Sequence, residues 1–403
     1  MDIPACPPVA ATTPVMPTPA LLLAMLHVSS RVSDLILSPG SLPHVEVSGQ
    51  LVQVKIPAVQ VLTLEDTLRI SAELIGNNKL ATAALKEQGS CDISYSIPGQ
   101  CRFRVNIFIQ RGSHAIVMRV IPKGIPSFAD LHLAPQLAEV TLLRNGIVLV
   151  TGPTGSGKSS TMAAILDRIN ETQAYHIITI EDPIEFLHRH KRSIIHQREL
   201  HSDTPSFALA LRAALRQAPK VILVGEMRDK ETIEIALEAA ETGHLVLSTL
   251  HTIDASKTVE RIVGVFPLAE QDIIRNRLAK SFRYIISQRL IPRKDGAGRI
   301  AAIEILKSTL RTREYVAKGE QEGKTVLEAM RDGDTEGMQH FDGEIEKLIR
   351  AGIIDLETGL AYATNPGNLG LELADLSEGA PSRTTKATPA EETRYEPDLV
   401  IER

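Results

Sequence analysis

The chain has no tryptophan, only 3% aromatic residues of any kind and three cysteines in 403 residues. So few aromatic rings argue against stacking platforms for single-stranded nucleic acid. Cys6, Cys91 and Cys101 cannot all pair and show no CxxC spacing, which suits a reducing compartment. Excess positive charge is also missing. The formal net charge is −5, so no broad basic face advertises a nucleic-acid partner. No apolar run approaches the ~20 residues that a membrane span needs. LLLAML, at 21–26, is too short, and no positive charge precedes it as a secretory signal would require. What is left is an ordinary cytoplasmic globular chain, long enough for roughly two domains with tails.

Texture along the chain divides it. Residues 1–19 are rich in Pro, Thr and Ala and read as a disordered extension. Residues 20–121 read as one small α+β domain. It contains a short helix, strand-like SDLILS, HVEVSG and LVQVK, a helical TLEDTLRISAELIG, and then the strands CRFRVNIFIQR and AIVMRVI. Residues 122–136, with the prolines and glycine of IPKGIPSFADL, read as a linker. In 137–372 the runs GIVLV, HIITI, VILV and HLVLSTL alternate with amphipathic helices. That pattern predicts an α/β unit built on a mostly parallel sheet covered on both faces. After Ala255 the pattern is helical except for RIAAIEIL, and 373–403 reads as a polar, disordered tail.

Chemistry concentrates in the second unit. Gly152, Pro153, Thr154, Gly155, Ser156, Gly157, Lys158 and Ser159 fill the pattern G-x-x-x-x-G-K-[ST] between a strand and a helix. The glycines permit backbone geometries that a Cβ would block, and the loop N–H groups and helix N-terminus then face phosphates. Lys158 is expected to reach the β and γ phosphates of ATP, and the Ser159 hydroxyl to ligate Mg²⁺. Ser160, next in the helix, completes the cofactor-binding set.

HIITI runs into EDPIEF, where Glu181, Asp182 and Glu185 surround a proline. Carboxylates at that end of a strand can orient water or Mg²⁺, although Asp182 before Pro183 also reads as a capped helix start. KVILVGEMRD ends its strand without the aspartate common in nucleotide triphosphatases; Gly225 and Glu226 follow instead. Gly225 is read as admitting the nucleotide and Glu226 as the acid, against the plainer reading of Glu226 and Arg228 as loop charges. HLVLSTLHT ends in Ser248, Thr249 and His251, placed either to sense a γ phosphate or to serve structure.

The basic stretch from His188 to His201 matches no ligand spacing and reads as a solvated face. Arg212 and Arg216 share a helix face, for phosphate, a neighbouring subunit or plain surface. Arg102 and Arg104 share a strand face, from which they could act on a nucleotide in trans. Arg119 lies on the other β-like segment.

Taken together, GPTGSGKSS, TIEDPIEF, VILVGEMRDKETI and AETGHLVLSTLHT resemble the ATPases of type II secretion and type IV pilus systems. The match is closest to the twitching-motility, pilus-retraction PilT/PilU branch, and extends from about Leu21 to about Leu371. The resemblance implies a PAS-like N-terminal domain and a RecA-like P-loop ATPase domain with a helical C-terminal part. It also implies a homohexameric ring, an inner-membrane platform protein of the pilus machine as partner, and in some systems a second retraction ATPase. Cytoplasmic placement at the inner face of the membrane follows from the same likeness. By its motifs, Lys158 binds phosphate, Glu185 is the acidic residue of an Asp box, Glu226 the general base and His251 a His-box histidine. Arg104 and Arg119 resemble first-domain arginines that reach the nucleotide. The implied function is a hexameric ATP-hydrolysing motor for pilus retraction.

Ala218 and Lys220 depart from the RQDPDVI of many relatives, and STLRTREYVAKGE replaces an AIRNLIRE-like segment. An accessory retraction ATPase is therefore an alternative. So is an assembly or secretion ATPase, although those usually carry paired CxxC motifs that are absent here.

Overall fold

A computed structural model describes residues 16–57, 59, 61–121 and 124–374; the expected tails, 1–19 and 373–403, lie mostly outside these. The first helix, Thr18–Leu26, begins inside the stretch expected to be disordered, because Leu21, Leu22 and Met25 bury into the first core. Six strands follow: β1 (Val32–Leu37), β2 (His44–Val47), β3 (Gln50–Gln53), β4 (Ser90–Ile97), β5 (Cys101–Gln110) and β6 (Ser113–Ile121). They form one antiparallel sheet in the order β3-β2-β1-β6-β5-β4.

Helices Leu64–Ile75 and Lys79–Gln88 connect β3 to β4. The first of them starts with a capping box, in which Thr63 and Asp66 satisfy each other's backbone N–H groups. On β5, strict alternation buries Phe103, Val105 and Ile107 in this core and leaves Arg102 and Arg104 on the opposite face.

The second unit holds β7 (Gly146–Thr151), β8 (His176–Glu181), β9 (Ile194–Glu199), β10 (Val221–Val224), β11 (Leu245–Leu250), β12 (Phe282–Pro292) and β13 (Arg299–Lys307). Their order is β13-β12-β7-β11-β10-β8-β9, and every neighbouring pair is parallel except β12 with β13. All six residues of β7 and all four of β10 are buried, as strands covered on both faces require. One apolar layer, with Leu211, Ala236 and Ile262, covers one side; another, with Leu137, Ile165 and Ile169, covers the other. Leu133 and Leu137 lie in the second layer, so the end of the expected linker is packed onto this unit.

Three expectations need correction. The region after Ala255 is not helical apart from RIAAIEIL, because FRYIISQRLIP forms β12. Its mixed Arg, Gln and Ser content hid a strand that is interior to the sheet. IIHQRE, expected as a solvated face, is the edge strand β9. No helix starts at Asp182, and residues 182–189 are irregular.

The two units touch along β5 and β9. Arg102 Nη2 and Ser94 Oγ both donate to Glu199 Oε2, at 2.7 and 2.6 Å. Asn78 Nδ2 donates to the carbonyl of His201 at 3.3 Å. No helix among the described residues is long and apolar enough to cross a membrane.

Candidate active site

The C-terminal ends of β7, β11, β10 and β8 lie side by side, and a cleft of about 480 Å³ opens over them. The loop after β7 forms its floor. Gly152 has φ 143°, and a Cβ there would stand 2.5 Å from the carbonyl of Gln288 and 2.5 Å from Ser156 Oγ. Only glycine lets this loop pass so close to β12. Gly157, at φ 89°, precedes the helix Lys158–Thr172, so Lys158, Ser159 and Ser160 occupy its first turn. Thr154, Gly155, Lys158 and Ser159 line the cleft.

The Lys158 ammonium lies over its own loop, donating to the carbonyls of Gly152 and Pro153 at 2.8 and 2.9 Å. Burial lowers its pKa, against the opposing pull of Glu185 and Glu226. A cation set among carbonyls and facing two carboxylates is poised to exchange these partners for phosphate oxygens.

Glu226 leaves the end of β10 directly into the cleft. The backbone before it is pinned on both sides: Gly225 N–H donates to Ile180 at 2.7 Å, and the Thr249 hydroxyl donates to the Gly225 carbonyl at 2.6 Å. A Cβ on Gly225 would press the Ile180 carbonyl at 3.3 Å and Glu181 Cα at 3.4 Å. The glycine therefore eases close packing against β8, where a side chain would have to push that backbone back by a few tenths of an ångström, beyond the access to nucleotide expected of it. The Glu226 carboxylate pairs with Arg228 Nε at 2.6 Å and lies 3.6 Å from His251 Nε2. His251 Nδ1 is in turn 3.5 Å from Lys158 Nζ. Lys158, His251 and Glu226 thus form one chain of polar contacts. Burial, and then the Lys158 charge, lower the His251 pKa and favour its neutral form.

Of the β11 residues read as sensors, Thr249 spends its hydroxyl on Gly225, and Ser248 is buried with its Oγ unpartnered. Asp229, the last acid of GEMRD, accepts the Thr232 N–H at 2.8 Å and caps the next helix. Arg212 pairs with Glu231 at 2.8 Å, both more than half exposed, which is the surface reading of that arginine.

Glu185 and Asp182 also line the cleft. Glu181 accepts hydrogen bonds from the Thr179 hydroxyl at 2.6 Å and from Gln197 Nε2 at 3.0 Å. Burial pushes its carboxyl up to about 7. His188 also lines the cleft, with its side chain only 3% exposed, so the solvated-face reading fails for this histidine. Burial depresses its pKa, against the attraction of Asp167 3.8 Å away. Nothing in its basic, histidine-rich surroundings marked it as a wall residue.

The first unit supplies one more lining residue, Arg104, to the cleft of its own chain. Arg119, its register partner on β6, is instead held by Asp34 at 2.9 Å, and its side chain is 70% exposed. The structure therefore brings Lys158, Ser159, Glu185, Glu226, His251 and Arg104 to one cleft, and leaves Arg119 tied to β1.

Residues 27–352 match the family described as "Type II/IV secretion system protein". The chain is 43% identical over 336 residues to "Type IV pilus retractation ATPase PilT" of Pseudomonas aeruginosa, covering 83% of this chain and 95% of that protein. It is 36% identical over 380 residues to "Type IV pilus ATPase PilU" of the same organism, covering 91% and 97%. Among solved structures, the pilus retraction motor PilT with bound ADP superposes with a TM-score of 0.77 at 42% identity. That likeness covers 86% of this chain and 97% of that one.

Proposed function

Because this chain belongs to the type II/IV secretion system protein family, we propose that it is an ATP-hydrolysing motor that powers type IV pilus retraction. The observation that carries this reading is the convergence of Lys158, Glu226, His251 and Arg104 on one cleft over the sheet's C-terminal edge. Phosphoryl transfer to water needs positioning and charge stabilisation more than covalent chemistry. Lys158 exchanges the Gly152 and Pro153 carbonyls for phosphate oxygens. Ser159 fits a Mg²⁺ site, its hydroxyl in the helix's first turn beside the lysine and Asp182, Glu185 and Glu226 lining the same cleft; the ion would neutralise charge across the phosphates. Glu226 orients the attacking water and accepts its proton, a role worth roughly 10²- to 10⁴-fold. Neutral His251, between Lys158 and Glu226, holds both in register with the γ phosphate. Glu185, in the same cleft, would steady the water or the metal.

Arg104 comes from the other domain, so charge stabilisation by it requires the two units to be closed on each other. Arginines in that role contribute roughly 10³- to 10⁵-fold. Chemistry that is complete only in the closed form couples turnover to rigid-body motion. A homohexameric ring on the inner-membrane platform of the pilus machine, with a PAS-like first domain, completes the proposal.

Glu226→Gln tests it. Hydrolysis is lost while fluorescent ATP still binds; unchanged turnover would remove Glu226 from the mechanism. A second reading, an accessory retraction ATPase working beside another motor, is favoured by the greater span of the PilU likeness, 91% of this chain against 83%. Deletion strains complemented with this chain alone, or together with a second motor, separate the two.

A further inference from the structure

We propose that Arg102 and Glu199 form an interdomain latch that positions Arg104 over the nucleotide and, through the same carboxylate, fixes the segment carrying Glu185. The inference rests on Arg104 acting at the nucleotide, as proposed above.

Glu199 ends β9 beside the last residue of β8, Glu181, and its side chain is 4% exposed. One oxygen, Oε2, accepts three hydrogen bonds: Arg102 Nη2 at 2.7 Å, Ser94 Oγ at 2.6 Å and the Ile184 N–H at 3.0 Å. Two of these donors belong to the first domain. The third lies in the irregular segment after β8, one residue before Glu185. A single buried carboxylate thus binds the first domain and the acidic loop to the same point. Its backbone N–H is held in turn by Asp203 at 2.8 Å, so that point is itself fixed.

The Arg102 guanidinium is oriented from its own side, with Nη1 donating to Ser96 Oγ at 3.3 Å. Its Nε is buried without a partner, so the side chain gives up a hydrogen bond to lie against Glu199. Both ions of the pair are largely withdrawn from water, at 17% and 4% exposure. A pair so placed tolerates the loss of one member poorly, because the other stays buried and charged.

Arg102 and Arg104 are two residues apart on one face of β5, so their Cα atoms are roughly 7 Å apart. A strand clamped at Arg102 has little freedom left at Arg104. Glu199 touches neither phosphate loop nor Glu226 in any contact described above; Arg102 and Glu199 are positioning residues that act through Arg104 and Ile184.

The experiment is steady-state hydrolysis by the full chain in a double-mutant cycle of Arg102→Ala and Arg104→Ala, with Arg102→Lys and Glu199→Gln alongside. Arg102→Ala is expected to lower kcat about 100-fold, the scale of a misplaced catalytic group, with KM for ATP little changed. The double variant is expected to be no slower than Arg104→Ala alone, since an unlatched strand cannot misplace an arginine already removed. Arg102→Lys keeps a cation facing Glu199 and recovers part of the loss. Glu199→Gln keeps an acceptor for Ser94 and Ile184 but loses the charge, and lowers kcat in the same sense. It also reports on the latch if Arg102→Ala does not fold.

Wild-type kcat in Arg102→Ala and Glu199→Gln overturns the proposal, as does a double variant whose losses multiply. Wild-type kcat in Arg104→Ala removes Arg104 from the chemistry and the latch with it. The ATPase reading stands or falls separately, on Glu226→Gln.

Discussion

Glu304 is the most informative residue for a stability measurement, because it is a buried acid with no part in the cleft. It lies on β13, 3% exposed, opposite Ser287 in the β12 register. Its carboxyl accepts the Ala255 N–H at 2.8 Å, which ties the sheet edge to the helix that follows His251. Burial pushes this carboxyl from 4.5 up to about 7, with the Ala255 hydrogen bond pulling the other way. Between those two values the folded chain holds a proton that the unfolded chain has released. Stability therefore falls as pH rises from about 4.5 through about 7, and levels off above. At ~1.4 kcal/mol per unit, the penalty at pH 8 is about 3 kcal/mol.

Glu304→Gln removes the ionisation and keeps an oxygen for Ala255 N–H. The variant should equal the wild type near pH 5 and exceed its stability by a few kcal/mol at pH 8. Urea midpoints taken from pH 5 to pH 8 on both proteins give the comparison. Glu181, also raised to about 7, contributes equally to both curves and cancels in the difference. Parallel curves, or a variant weaker at pH 8, would show that Glu304 is not held neutral by burial.

Gly152→Ala combines a disfavoured φ of 143° with contacts of 2.5 Å to Gln288 O and Ser156 Oγ. Strain of about 1–3 kcal/mol and overpacking of about 1–3 kcal/mol should lower the urea midpoint clearly and abolish titration with fluorescent ATP. A variant that binds ATP normally would mean that the loop does not need this geometry. Asp229→Ala should cost about 1 kcal/mol as a lost helix cap, seen in the same denaturation assay, while hydrolysis persists. Loss of turnover with a fold of normal stability would make Asp229 part of the chemistry.

The phosphate loop was readable because its residues are contiguous and each has a local backbone task. Glu226 and His251 were readable because each stands within two residues of the end of a short buried run, and parallel strands bring such ends together. Arg102 and Arg104 shared their face as alternation required. What escaped depends on pairings distant in sequence. β12 carries Arg283, Ser287, Gln288 and Arg289, polar residues that a pattern read along the chain assigns to surface. In the sheet Ser287 is fully buried and receives a hydrogen bond from Thr151 at 3.1 Å. His188 and Glu199 became wall and hub only because β9 lies at the sheet edge beside β8, facing the first domain. Arg119 was placed with Arg104 by likeness, yet its neighbour Asp34 on β1 competes for the guanidinium.

The short stretch GEMRD shows how the acid can stand one place beyond its strand. Gly225 is locked by Ile180 on one side and Thr249 on the other, and a side chain there would crowd the Ile180 carbonyl of β8. An acid at this position would first have to push the β8 backbone back by a few tenths of an ångström. Glu226, the first residue beyond it, has a fixed backbone origin and a side chain that lines the cleft. Met227 then buries at 4% exposure, and Asp229 caps the helix Lys230–Glu241. The chain thus anchors within three residues on either side of Glu226, leaving Arg228, exposed and paired to it at 2.6 Å, as its solvent-side partner. A carboxylate anchored through its backbone but paired to an exposed cation can change partners without reorganising the sheet. Under the proposed mechanism, that exchange falls to what enters the cleft from outside, the phosphates and Arg104, and so to the placement of the first domain.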